Sequence, residues 1–317
     1  MTPAQKLLKL LTENVSRAIV GKENTVELVL NAILCGGHVL IEDVPGTGKT
    51  TLASAFSKSL ALSFKRIQFT PDVTPSDITG YTAIDFKTGE SAYREGAVFA
   101  QLVLADEINR TSPKTQSSLL EVMQEHQVTI DGVTHKLPEP FVVLATQNPV
   151  DFVGTYPLPE AQMDRFFMRV SLGYPTKEEE ARVLDMYMTG DQPLDSMEPV
   201  CSADDLIRLQ NEVGQVKVSK EMRVYIAGIA QASRNASLFA RGISTRGAIA
   251  LMHSAQACAL LDGRDYVTPE DVRKMALPVL SHRVILNPEF KVGSKGMTNE
   301  KALARLLANV QVPVRVK

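Results

Sequence analysis

The chain has 317 residues, 44% hydrophobic and 22% charged, which suffices for two compact domains without disulfide or metal staples and excludes a disordered or membrane-embedded composition. A formal charge of -2 and a pI near 6.3 lack the basic excess that marks a nucleic-acid surface. Cys35, Cys201 and Cys258 lie far apart and the five histidines show no ligand spacing, so neither a disulfide framework nor a zinc site is expected, and a cytoplasmic protein with buried thiols is.

Leu7, Leu8, Leu11, Val15 and Ile19 recur at helical spacing with charges between them, which predicts an amphipathic helix within residues 1–21 and not a signal peptide. No later run is long enough to span a bilayer. Short apolar runs then alternate with helical segments: His38 to Ile41, Arg66 to Phe69, Leu102 to Ala105, Phe141 to Ala145 and Phe167 to Leu172, with a helix expected around Val98. Such alternation predicts a parallel sheet with crossover helices, its strands buried on both faces. Thr176 opens a further helix. After Gly190 the strand signal fades, and helices are expected over 203–213, 220–233, 246–261 and 269–279. The predicted organisation is an α/β domain over 1–190 and a smaller all-helical domain over 191–317.

Between the first apolar strand and the helix that starts near Thr51 lies Glu42-Asp43-Val44-Pro45-Gly46-Thr47-Gly48-Lys49-Thr50. Strand, glycine-rich turn and helix in this order form a P-loop, or Walker A motif. Gly46 and Gly48 let successive N–H groups face phosphates, Lys49 reaches the β- and γ-phosphates, and the Thr50 hydroxyl ligates magnesium. ATP and Mg2+ are the implied cofactors. Asp43 stands where the consensus has its first glycine, so a difference in the entry to the loop is expected.

Leu102 to Ala105 ends in Asp106-Glu107, the Walker B pattern, at the sheet edge where α/β proteins bind ligands. Asp106 is expected to hold magnesium and Glu107 to orient and deprotonate the attacking water. Asn148 follows the strand ending at Ala145 and could hold that water or sense the γ-phosphate. Arg165 precedes the last strand, where it can project across a subunit boundary to a neighbour's γ-phosphate, and Arg246 sits in the first turn of a helix after Gly242-Ile243-Ser244-Thr245. Arg241 and Arg110 are further candidates. Two hairpins are expected: Thr82 to Tyr93 turning through Lys87 to Glu90, and Val128 to His135 around Asp131-Gly132.

In order along the chain, Val20-Gly21-Lys22, the Walker motifs, DEINR (106–110), SPKTQSSLLEVMQ (112–124), ATQNP (145–149), Glu160 to Phe166 and Ser244 to Gly247 resemble the AAA+ superfamily, and more closely its MoxR family, over about residues 8–287. The resemblance implies a P-loop three-layer domain followed by a helical lid, with Val20 and Gly21 near the base and Pro45, Thr47 and Thr51 around the phosphates. It also implies Asn148 as sensor 1, Arg165 as arginine finger and Arg246 as sensor 2, acting in cis or in trans. The hairpins correspond to the helix-2 and pre-sensor-1 inserts, which face substrate near the pore. The expected function is ATP hydrolysis by a ring, a hexamer, that remodels a partner protein or inserts its metal or cofactor. A protein with a von Willebrand factor A domain is the expected partner. Members of the family commonly carry proline before the lid arginine, where this chain has Thr245. An AAA+ motor or loader acting on nucleic acid is the alternative; the missing basic stripe and DNA-binding domain count against it.

Overall fold

A computed structural model describes residues 2–84, 89–149, 154–190, 193–293 and 296–313. The chain opens with α1 (Pro3–Ser16), capped by Thr2 in a capping box with Gln5, and α2 (Glu23–Leu34). The α/β part follows as β1 (Val39–Glu42), α3 (Lys49–Ser59), β2 (Phe64–Gln68), α4 (Pro75–Thr79), β3 (Gly80–Ile84), β4 (Ser91–Glu95), β5 (Leu102–Asp106), α5 (Pro113–Glu125), β6 (Gln127–Ile130), β7 (Val133–Lys136), β8 (Val142–Gln147), α6 (Glu160–Met163) and β9 (Met168–Val170). After α7 (Lys177–Thr189) come α8 (Ala203–Gln215), α9 (Lys220–Asn235), β10 (Phe239–Arg241), α10 (Thr245–Leu261), α11 (Pro269–Leu280), β11 (Ile285–Leu286), α12 (Pro288–Gly293) and α13 (Asn299–Asn309).

Five strands form one parallel sheet in the order β2-β5-β8-β1-β9. Alternate residues leave opposite faces of a strand, and here both faces are covered. Val39, Ile41, Leu102, Leu104, Val142 and Leu144 pack against α1–α3 and the lid, while Leu40, Val103, Ala105, Val143 and Ala145 pack with residues of α4 and α5. The first of these cores runs without a break into the lid through Leu251, Ala255 and Val279. Asn31 and Ser254 exchange two hydrogen bonds inside it, which satisfies polar groups that burial would otherwise penalise.

Three expectations need correction. No helix forms around Val98: the amides of Ala97 and Val98 donate to the carbonyls of Asp77 and Ile78, so they are unavailable for a helical ladder, and Gly96 packs too closely on the Ile78 carbonyl for a side chain. Before the hairpin lies only the five-residue α4. The lid is not wholly helical, because β10 and β11 form a short antiparallel ribbon, and α12 and α13 extend it beyond the four expected helices.

Both hairpins form. β3 pairs with β4, the turn residues 85–88 lying outside the described residues, and β6 pairs with β7 around Asp131 and Gly132, both at positive φ as an Asp-Gly turn requires. The hairpins touch each other: the Thr82 hydroxyl donates to the Asp131 carboxylate at 2.6 Å, and Tyr93 stacks on His135 with ring centroids 3.9 Å apart.

His38 closes the lower end of the sheet, just before β1. Its Nδ1 accepts from the Val143 amide at 3.0 Å, so the ring proton sits on Nε2, which donates to the Met123 carbonyl at 2.8 Å. Burial is the main cause that lowers its pKa from 6.5 to about 4. Because the folded pKa lies below the unfolded one, the neutral ring contributes stability at pH 7 that is lost as pH falls from about 6.5 towards 4. NMR of the imidazole nitrogens should show His38 neutral down to about pH 5; a titration midpoint near its ordinary value would contradict this environment.

Candidate active site

The loop after β1 curls over residues 43–48 with Gly46 at φ +82 and Gly48 at φ +89, left-handed positions that favour glycine. A Cβ built on either glycine would meet nothing within 4 Å, so the loop backbone is open to an approaching group. Lys49 begins α3 and its Nζ donates to the carbonyls of Val44 at 2.6 Å and Asp43 at 3.2 Å, which places the ammonium over the loop. Thr50 and Thr51 occupy the next positions of the helix, and the Thr47 hydroxyl bonds the Val44 carbonyl.

Asp43, in the consensus glycine position, is buried and heavily bonded. One carboxylate oxygen accepts from the Val44 amide at 2.9 Å; the other accepts from the amides of Leu172 and Gly173, each at 2.7 Å, and from the Ser171 hydroxyl at 3.2 Å. The aspartate thus ties the entry of the phosphate loop to the segment that leaves β9 and leads to α7. Val20 and Gly21 border the same region. Gly21 has φ +72, and a Cβ there would collide with the Glu179 carboxylate of α7, while Lys22 donates to the Tyr174 carbonyl at 3.0 Å.

β5 delivers Asp106 and Glu107 beside this loop, since β1, β8 and β5 are neighbours. Thr146, fully buried on β8, organises both acids. Its hydroxyl donates to Asp106 Oδ1 at 2.6 Å and accepts from the Glu107 amide at 2.8 Å, which holds Glu107 in the left-handed conformation (φ 57) that ordinary residues rarely adopt. The other oxygen of Asp106 accepts from Arg66 at 2.7 Å, and Glu107 accepts from Gln68 and Arg110, each at 3.0 Å. Asn148 follows β8, buried, with its carbonyl accepting from Asn109 at 3.2 Å. The P-loop, Asp106, Glu107 and Asn148 therefore converge at the C-terminal ends of three adjacent parallel strands.

Arg165 and Arg246 are not there. Arg165 lies just before β9, and the amide of Phe167 donates to the carbonyl of His38, the residue before β1, so Arg165 is level with the opposite end of the sheet. β1 spans four residues, so about 13 Å of strand separates that end from the phosphate loop. Arg246 joins Arg165 in lining a cavity of about 150 Å³ with Met123 and Gln124. Among the described residues neither arginine has an ion-pair partner.

The lid holds this pair in place. Arg283, buried after α11, donates to the carbonyls of Asp164 and Phe166 on either side of Arg165 and pairs with the Asp164 carboxylate; burial lowers its pKa and Asp164 opposes that. Ser244 caps α10 by accepting from the Gly247 amide and also contacts Asp164. Thr245 occupies the first helical position, the one place where proline is tolerated, so its replacement of proline leaves the turn carrying Arg246 intact. Of the other candidates, Arg110 pairs with Glu107, and Arg241 lines a separate cavity of about 210 Å³ with Gln147, Arg169 and His282. Sequence reading missed Thr146, Arg66, Gln68 and Arg283. The one available signal was a charged residue inside the apolar stretch 275–286.

A P-loop and paired carboxylates at neighbouring strand ends, followed by a helical lid, define an AAA-type ATPase. The model of the ATPase family associated with various cellular activities (AAA) matches residues 38–168, and that of the AAA lid domain matches 231–303. The chain is 40% identical to chaperone MoxR1 of Mycobacterium tuberculosis, covering 94% of this chain and 80% of that one, and 30% identical to protein MoxR of Paracoccus denitrificans, covering 86% and 87%. A crystal structure of a Cytophaga hutchinsonii protein assigned as an ATPase superposes with a TM-score of 0.89 at 39% identity, covering 98% of this chain and 96% of that one. This protein belongs to the MoxR family of AAA+ ATPases.

Restoring the consensus glycine should harm this protein. Asp43→Gly leaves the Leu172 and Gly173 amides without their acceptor and should lower the unfolding free energy by about 2–4 kcal/mol, read from urea denaturation. A variant as stable as the parent would remove Asp43 from this clasping role.

Proposed function

We propose that the protein hydrolyses ATP as a homo-oligomeric ring, a hexamer, and uses the nucleotide cycle to remodel a partner protein. The observation that carries this reading is the placement of Arg165 and Arg246 together, a strand's length away from the phosphate loop of their own chain. Neither can serve its own nucleotide, so both serve a neighbour's, and Arg246 works in trans. A repeated head-to-tail contact of this kind forms a ring where its rotation closes, and the resemblance to ring-forming AAA+ proteins favours that closure.

The donor set fits ATP with magnesium, which when bound supply the phosphoryl group and the cation that screens its charge. The open loop of Pro45, Gly46, Thr47 and Gly48, with Lys49 and Thr51, offers amides and positive charge to the phosphates. Thr50 and Asp106 offer the hard oxygen ligands magnesium favours. Val20 and Gly21 border the base. Glu107 accepts a proton from the attacking water at the carboxylate that Gln68 and Arg110 otherwise engage, Asn148 orients that water, and Arg165 and Arg246 of the adjoining protomer stabilise the charge that develops.

Residues 1–190 form the ATPase domain and 191–317 the lid. The paired hairpins expose Tyr81, Ile84 and Val133, apolar side chains suited to gripping a client. The relative named a chaperone supports protein remodelling. Family resemblance favours a partner with a von Willebrand factor A domain and a task of metal or cofactor insertion or complex assembly. No helix among the described residues is long and apolar enough to cross a membrane, and the free cysteines fit the reducing cytoplasm.

Mixing two inactive variants tests the shared site. Lys49→Ala and Arg165→Ala should each abolish turnover, and an equal mixture should regain activity at up to about a quarter of the interfaces, where an intact P-loop meets an intact arginine. Absence of any recovery from subunits shown to exchange would overturn the proposal.

A further inference from the structure

α7 is anomalous among the helices. It has 13 residues, yet none of its described residues is buried, and short helices without a packed face are marginal in water. Glu179, Val183 and Met186 are half-buried on its inner side, and its larger apolar side chains lie outward. Leu184, Tyr187 and Met188, at spacings of three and four that align on one face, are 61%, 68% and 86% exposed, and Tyr174 just before the helix is 73% exposed.

Its position says what could cover it. The helix hangs from the segment that Asp43 clasps, and Glu179 in its first turn packs on Gly21 and pairs with Lys22, so α7 stands beside the phosphate loop. A neighbour that brings Arg165 and Arg246 to that loop therefore arrives beside α7. The face carrying those arginines also carries Ile249, which is 49% exposed and lies three residues after Arg246 on the same side of α10. Charge is compatible as well: Glu178 and Glu180 make the first turn of α7 acidic, and the face that carries Arg165 and Arg246 is basic.

We propose that the outward face of α7, built from Leu184, Tyr187 and Met188, is the seam on which a second copy of this chain docks its Arg165, Arg246 and Ile249 face. The inference rests on the ring reading and assigns that ring its apolar contact. Burying α7 would also give the Asp43 clasp a recipient: the phosphate loop, the segment 171–173 and α7 are joined in series, so the state of one nucleotide reaches the next subunit through this helix.

The test compares the parent with Leu184→Lys/Met188→Lys. Both positions are exposed, so the unfolding midpoint should not move. By mass photometry with ATP and magnesium, assembly should weaken by at least about tenfold. Turnover should fall with assembly, while affinity for a fluorescent ATP analogue at the monomer stays unchanged. In a second measurement, Met188→Cys should react with maleimide in the monomer and become protected when ATP drives assembly of the purified chain, with the parent's own cysteines setting the background. A lysine variant that assembles and turns over like the parent, or an introduced thiol that stays reactive in the ring, would overturn the seam while leaving the ring standing. A parent that remains monomeric and fully active would remove both.

Discussion

A parallel sheet has two unlike ends, and the candidate site residues of this protein are divided between them. Every strand of the central sheet runs the same way, so the loops after β1, β5 and β8 gather on one edge with Lys49, Asp106, Glu107 and Asn148. The segment before β9 lies on the other edge and carries Arg165. No rotation of an arginine side chain spans a strand's length plus the loop above it. On the proposed function, the single chain therefore holds two incomplete halves, one for binding phosphate and one for supplying positive charge, and each is completed by a neighbour.

The lid belongs to this division. Arg283, His282 and Ser244 grip the backbone and side chains of residues 164–166, so the start of α10 and the turn bearing Arg165 form one unit with a single buried ion pair, Arg283 with Asp164, at its centre. A buried guanidinium left unpaired is costly, which keeps the two arginines at a fixed spacing. On the far edge Asp43 plays the corresponding part by joining the phosphate loop to the segment 171–173. A second link runs through Arg169, which pairs with Glu42 just before the loop and with Glu300 of the lid. In the proposed cycle, motion at the phosphate loop has definite connections along which to travel, each made of hydrogen bonds with named partners.

The parts of this arrangement that were legible in the sequence are those encoded by local spacing. Gly46, Gly48, Lys49 and Thr50 are adjacent in the chain, Asp106-Glu107 closes an apolar strand, and Asp131-Gly132 sits between alternating residues, so each declares its role without knowledge of the fold. Arg66, Gln68 and Thr146 acquire their roles only because β2, β5 and β8 lie side by side, an adjacency that no local pattern contains. Arg283 is 119 residues from Asp164 and acts only after the lid has docked. The helix expected around Val98 failed for the same reason: distant carbonyls on α4 took the amides that a local reading assigned to a helix. The position of Asp43 was noticed as a departure from consensus, but its function depends on amides 129 and 130 residues away.

The central claim is that two protomers enclose one triphosphate. Electron cryo-microscopy of the Glu107→Gln protein assembled with ATP and magnesium addresses it directly, since that variant should retain the nucleotide unhydrolysed. The account predicts closed rings in which the guanidinium of Arg165 lies within about 3 Å of a γ-phosphate oxygen held by the Lys49 loop of the adjacent protomer. Rings in which Arg165 faces away from every subunit contact would contradict it.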